Sequence, residues 1–134
     1  MTWKTLAVLL GRLIFAAVFG LAVFFKLMGP AGTAQYIAAA GFPFPLFLTW
    51  CAVALELALV ASFLTGAYMR EMALIAGAYV IFLGFAFHGP NRWGPDQVEF
   101  GFFVTHFTFL AGLLFAAANG PGDEMVWKKG WLRG

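Results

Sequence analysis

Residues 5–28 read TLAVLLGRLIFAAVFGLAVFFKLM, an apolar run interrupted only by Arg12 and Lys26 and followed by the helix-breaking pair Gly29-Pro30. A helix needs about 20 apolar residues to cross a hydrocarbon core about 30 Å thick, so this run is long enough to span a bilayer. Arg12 and Lys26 stand fourteen residues apart, and at about 100° per residue that spacing returns them to within roughly 40° of one another. They therefore mark one polar seam, which should face other helices rather than lipid.

The rest of the chain repeats the pattern. At 63% hydrophobic and 10% charged residues, there is too little polar surface for a soluble domain. We expect an all-α, integral membrane four-helix bundle occupying residues 1–134 as a single membrane domain. The expected spans are 5–28, 46–64, 72–87 and 100–118, with an amphipathic tail over 119–134. Between the first two spans, GPAGTAQYIAAAGFPFP is too short to cross. Thr33 can cap a short helix over 33–40, Gly41 can close it, and Pro43 and Pro45 prevent its continuation. That helix should lie at the extracytoplasmic interface. Small residues at spacing four (Ala16 and Gly20, Ala73 and Gly77, Gly112 and Ala116) would let helices approach closely.

Composition also excludes functions. Cys51 is the single cysteine, so neither an internal disulfide nor a CxxC thiol shuttle is available. A net charge of +2 with scattered basic residues gives nucleic acid no footprint. A cleavable signal is not expected, since the apolar run after Lys4 contains Arg12 and has no small-residue cleavage site. The tail carries Trp127 and Trp131 among charges, as suits a headgroup surface. Lys4, Arg70, Lys128, Lys129 and Arg133 fall on one side and Arg92 on the other. Both termini should then be cytoplasmic in a bacterial inner membrane.

Polar chemistry concentrates in HGPNRWGPDQVEFGFFVTH, residues 88–106, which holds both histidines, Asn91, Arg92, Asp96, Gln97 and Glu99. With span midpoints at the bilayer centre and a rise of about 1.5 Å per residue, Arg12 lies roughly 6 to 7 Å inward and Glu56 within about 2 Å of the middle. An unpaired ion at such depth costs at least about 2.5 to 3.5 kcal/mol. We therefore expect Arg12 and Glu56 to form a buried ion pair or to face a wet cavity. Lys26, His88 and Glu99 come out roughly 12 to 15 Å outward, and His106 about 5 Å outward, one helical face below Glu99. The result is a polar column.

Each of these residues also has a plain structural reading. Arg12 and Glu56 could merely fix helix register, and Lys26 could snorkel to headgroups. His88 could be an interfacial loop residue, and Glu99 could favour the start of its helix through the dipole. His106, expected to be buried among Phe102, Phe103 and Phe109, could bond a neighbouring carbonyl, yet it is also the best proton-exchanging group at membrane depth. No HxxxH or ExxH spacing joins His88, Glu99 and His106, so no metal is expected, nor haem, since the two histidines differ in depth. No flavin is expected either.

GRLIF, FKLMG, GTAQYIAAAGFPFP, ALELALVASFLTG, HGPN and EFGFF, in this order and spacing, resemble the DoxX family of small four-helix membrane proteins over about Gly11 to Gly122. The resemblance implies the same topology and an association with quinone-linked oxidoreductases, or with accessory and assembly factors of redox enzymes and receptors. Arg12, Lys26, Glu56, His88 and Glu99 match recurrent polar positions of that family. The WGPDQ stretch after Asn91 departs from its shortest members.

The leading functional expectation is a membrane subunit of a redox system, binding a quinone or similar apolar ligand in the outer half of the bundle. His106 and Glu99 would exchange protons; Lys26, His88, Glu99 and His106 would serve the carbonyls, and Phe103 and its neighbours would hold the ring. Electrons would come from a partner in a membrane redox complex. The alternative is a noncatalytic accessory that anchors or assembles a larger enzyme, with the polar column a folding device. Solute transport has little support, since no internal repeat is visible in the sequence.

Overall fold

Apolar runs broken by glycine and proline can satisfy their backbone in a membrane only as helices. In the computed structural model, which describes residues 1–133, the described residues form α1 (Trp3–Met28), α2 (Pro30–Ala39), α3 (Pro45–Thr65), α4 (Met69–His88) and α5 (Val98–Asn119), with one 3-10 turn at Pro90–Arg92. α1, α3, α4 and α5 are long and apolar enough to cross a membrane. At 10 residues, α2 is not. The protein is thus an all-α integral membrane protein with a short helix between its first two spans.

Every helix starts earlier than its apolar run. Pro30 and Pro45 are the first residues of α2 and α3, where a missing N–H costs nothing and a fixed φ favours the helix. Thr33 therefore lies inside α2 and bonds back to the Gly29 carbonyl at 3.5 Å instead of capping. Tyr68 and Gln97 take left-handed φ of 51° and 60° just before α4 and α5, so Arg70 falls in the first turn of α4 and Glu99 in that of α5.

The described residues form two compact units, residues 1–67 with 121–128, and residues 68–120 with 129–133. In the first, α1 packs against α3, and α2 rests on both. Its core is Phe19, Val23, Val53, Leu59 and Phe63. Phe63 stacks on Phe19 and lies 5.3 Å from the Phe15 ring. Ile14, Leu21, Phe24 and Phe25 stay exposed, a surface that only lipid covers without cost. In the second unit, α4 and α5 pack together, with Gly77 against Leu110 and Gly84 against His106. A Cβ on Gly77 would meet Leu110 at 3.1 Å, so Gly77 lies where α5 approaches α4 closely.

Arg12, only 1% exposed, does not pair with Glu56 as expected. A guanidinium has five N–H donors, and in Arg12 all five go to backbone carbonyls. Nε bonds Phe63 at 3.0 Å; Nη2 bonds Leu64 at 3.0 Å and Met125 at 2.9 Å; Nη1 bonds Pro121 at 3.1 Å and Glu124 at 2.6 Å. Phe63 and Leu64 belong to the last turn of α3, whose carbonyls have no partner within the helix and carry the negative end of its dipole. At this depth a guanidinium cannot be left without partners. The end of α3 and residues 121–125 supply those partners in place of the expected Glu56 carboxylate. The amide of Trp127 adds a bond to the Thr65 carbonyl at 2.8 Å, so the tail is clasped rather than merely laid on headgroups.

Lysine has three N–H donors in place of five. Arg12→Lys should therefore strand at least two buried carbonyls and lower stability by about 2 to 5 kcal/mol. Unfolding of the purified protein in mild detergent, titrated with a denaturing detergent, measures this. A loss below about 1 kcal/mol would contradict the clasp as a fully buried network.

Candidate functional site

The other candidate residues fall into two groups, one per unit. In the first unit, Lys26 in the last turn of α1 reaches Glu56 on α3, with Nζ 3.0 Å from Oε1. The Glu56 side chain is 3% exposed and that of Lys26 19%. Lysine thus neutralises the deepest carboxylate, the role expected of Arg12. The antiparallel register explains this. Arg12 is level with the C-terminal turn of α3, whereas Glu56 lies nearly two turns back along that helix, toward the end of α1 that carries Lys26. Lys26 is then not a free cation at the mouth of a site, because its charge is committed to Glu56.

In the second unit, the end of α4 and the start of α5 bring together His88, Glu99 and His106. His88 Nδ1 lies 2.5 Å from Glu99 Oε2. The His88 and His106 rings are 5.1 Å apart and tilted 44°. Counting rise along the helices put His106 well below His88, but the structure makes them neighbours. A helical side chain leans toward the N-terminus of its own helix. α4 and α5 run antiparallel, so His88 leans down and His106 leans up, and the rings close the gap between their Cα atoms. Gly84 makes room for this: a Cβ there would sit 3.0 Å from His106 Cβ and 3.3 Å from its Cγ. No reading of the sequence had singled out Gly84. Its position one helical turn before His88 was the available signal.

His106 is half-buried rather than enclosed, and its Nδ1 lies 2.7 Å from the Phe102 carbonyl one turn back. Phe102 also packs on His88, with ring centroids 5.1 Å apart. The Trp93 indole donates to the His88 carbonyl at 2.9 Å and packs edge-on against Phe100 and Phe103. Phe103 in turn contacts Phe85 and Phe107. The WGPDQ loop thus contributes one anchored ring beside the histidines. At 16% and 35% exposure for His88 and Glu99, the pair is reachable from outside the protein. Among the described residues, no three His, Cys, Asp or Glu side chains are arranged to hold a metal ion.

This division of polar residues between helices can be compared with known proteins. Residues 7–89, more than half of the chain, match the DoxX family. The chain belongs to the DoxX family. It is 30% identical over 130 residues to the inner membrane protein YqjF of Escherichia coli K12, covering 94% of this chain and 96% of that protein. It is 28% identical over 126 residues to the inner membrane protein YphA of the same organism, covering 89% and 86%. No solved structure matches. Within this DoxX protein the family match contains Arg12, Lys26, Glu56 and His88 and ends before Glu99 and His106.

Removing one member of the Lys26–Glu56 pair leaves the other charge without it at membrane depth, whereas removing both does not. Lys26→Met is expected to destabilise the protein more than Lys26→Met combined with Glu56→Gln, with a coupling of about 0.5 to 3 kcal/mol. A double-mutant cycle on detergent unfolding tests this, and a coupling of zero would rule out a direct pair.

Proposed function

We propose that this protein is a membrane subunit of a redox system that binds a quinone or similar apolar ligand beside His88, Glu99 and His106. The supporting observation is the pair of adjacent imidazoles, one backed by a carboxylate, set against Phe102, Phe103 and Trp93. A quinone head group is a flat aromatic-sized ring with polar oxygens, and it takes up or releases protons when its redox state changes. Aromatic side chains suit its faces. Imidazoles suit its oxygens and its protons, because their ordinary pKa lies near neutrality. Lys26, expected among the ligand-binding groups, drops out of this reading because Glu56 holds it. Electrons would pass to or from a protein partner in the membrane, since the chain offers no thiol pair of its own.

The orientation that fits is both termini in the cytoplasm, on the distribution of Lys4, Arg70, Lys128, Lys129 and Arg133 against Arg92. The His88 end would then face the periplasmic side. Reporter fusions at the two termini and in the WGPDQ loop should report opposite compartments, and the same compartment for all three would refute this topology.

His106→Ala and Glu99→Gln, assayed in the full chain in lipid nanodiscs, should each weaken binding of a short-tailed ubiquinone analogue in its reduced, hydroxyl-bearing form at least about tenfold, equivalent to losing one good polar contact. In membranes, quinol-linked electron transfer by the partner should fall with it. Unchanged binding in both variants would remove this reading. Loss or immaturity of the partner enzyme on deletion of the gene would favour the accessory role instead.

A further inference from the structure

The hydrogen bonds of the two histidines fix what their outward nitrogens can do. A backbone carbonyl only accepts, so His106 Nδ1, at 2.7 Å from the Phe102 oxygen, must carry the proton of that bond. A carboxylate likewise accepts, so His88 Nδ1, at 2.5 Å from Glu99 Oε2, carries one as well. In a neutral imidazole one nitrogen donates and the other accepts, and the partner of the first determines the second. With both rings in the neutral form, both Nε2 atoms are lone-pair acceptors. Neither has a partner among the described residues, and neither is a buried orphan.

Resting on the proposed quinone site, we infer that the cluster takes its ligand in the hydroxyl-bearing form, a hydroquinone or other phenol, in preference to the oxidised quinone. A quinone carbonyl is itself an acceptor and would face acceptor nitrogens with no proton between them. A phenolic O–H donates to Nε2 without any change in protonation. The carboxylate of Glu99 strengthens His88 as an acceptor, since it stabilises positive charge developing on that ring when an O–H leans its proton onto Nε2. Glu99 acts through His88 and is in this respect a positioning residue. Two adjacent acceptors, each locked by a different partner, make the preference a property of the cluster rather than of one side chain. The faces of Phe102, Phe103 and Trp93 are indifferent to redox state and hold either form.

The test uses the full chain in nanodiscs and a redox-inert pair of probes, a long-chain alkylphenol and its methyl ether, which differ only in the O–H. Calorimetric titration should show the phenol bound at least about tenfold more tightly than the ether, as for one charge-assisted hydrogen bond. In Glu99→Gln the side-chain amide can donate to His88 Nδ1 and move its proton to Nε2, so the ratio should fall by about threefold or more. A reduced alkyl hydroquinone should outcompete its oxidised form in the same order. If phenol and ether bind equally well, the inference fails and the quinone site stands. A ratio unchanged in Glu99→Gln also overturns it, because the preference would then not come from this hydrogen-bond chain. If the phenol, the ether and both redox forms all fail to bind, the site reading itself fails.

Discussion

A helix inside a membrane leaves its last carbonyls without intrahelical partners, where no water can serve them. This constraint governs both units, and each meets it with an arginine from a neighbouring helix. Arg12 of α1 serves Phe63 and Leu64 at the end of α3. Arg70 of α4 donates to Ala117, Ala118 and Asn119 at the end of α5. The arrangement satisfies the orphan carbonyls and complements the dipole, and it supplies each arginine with partners that carry no formal charge. Each clasp also fixes which helix lies beside which, and in what register.

With one end of each helix pair fixed in this way, the rest of the pair holds a basic side chain against a carboxylate. In the first unit it is Lys26 with Glu56; in the second it is His88 with Glu99. The two pairs differ in chemistry. Lysine and glutamate form an ion pair, with the carboxylate almost sealed from solvent. Histidine and glutamate form a hydrogen-bonded pair beside a second imidazole, with both side chains partly open to the outside. The same local plan thus yields a structural pair in one unit and a candidate chemical site in the other.

The tail adds to this scheme. The Arg12 bonds to Pro121, Glu124 and Met125, and the Trp127 amide bond to Thr65, hold residues 121–128 against the end of α3. In the second unit, Glu71 accepts the amides of Trp131 and Leu132, while Trp131 lies edge-on to Tyr68. Trp127 and Trp131 remain largely exposed, free to meet headgroups as amphipathic side chains do. A charged, glycine-rich tail is therefore part of the folded structure through its backbone, whereas its side chains carry the interfacial character that composition suggested.

The sequence by itself determined the class and the spans, because hydrocarbon thickness converts apolar run length directly into membrane helices. It also determined that Arg12 and Glu56 must be satisfied inside, because a lone ion there is too costly to leave. Helix starts were missed by a few residues because Pro30, Pro45, Tyr68 and Gln97 extend helices into turns that apolar periodicity does not register. Partnership was beyond the sequence altogether. A carboxylate and a row of helix-end carbonyls satisfy a buried arginine equally well, and only the antiparallel register decides that Arg12 meets α3's last turn while Lys26 meets Glu56. Only the packing of α4 on α5 at Gly84, with side chains leaning toward opposite helix starts, places His106 against His88. Depth along each helix is a one-dimensional quantity that the sequence supplies, but contact depends on the direction in which each side chain leaves its helix, and that is set by the tertiary structure.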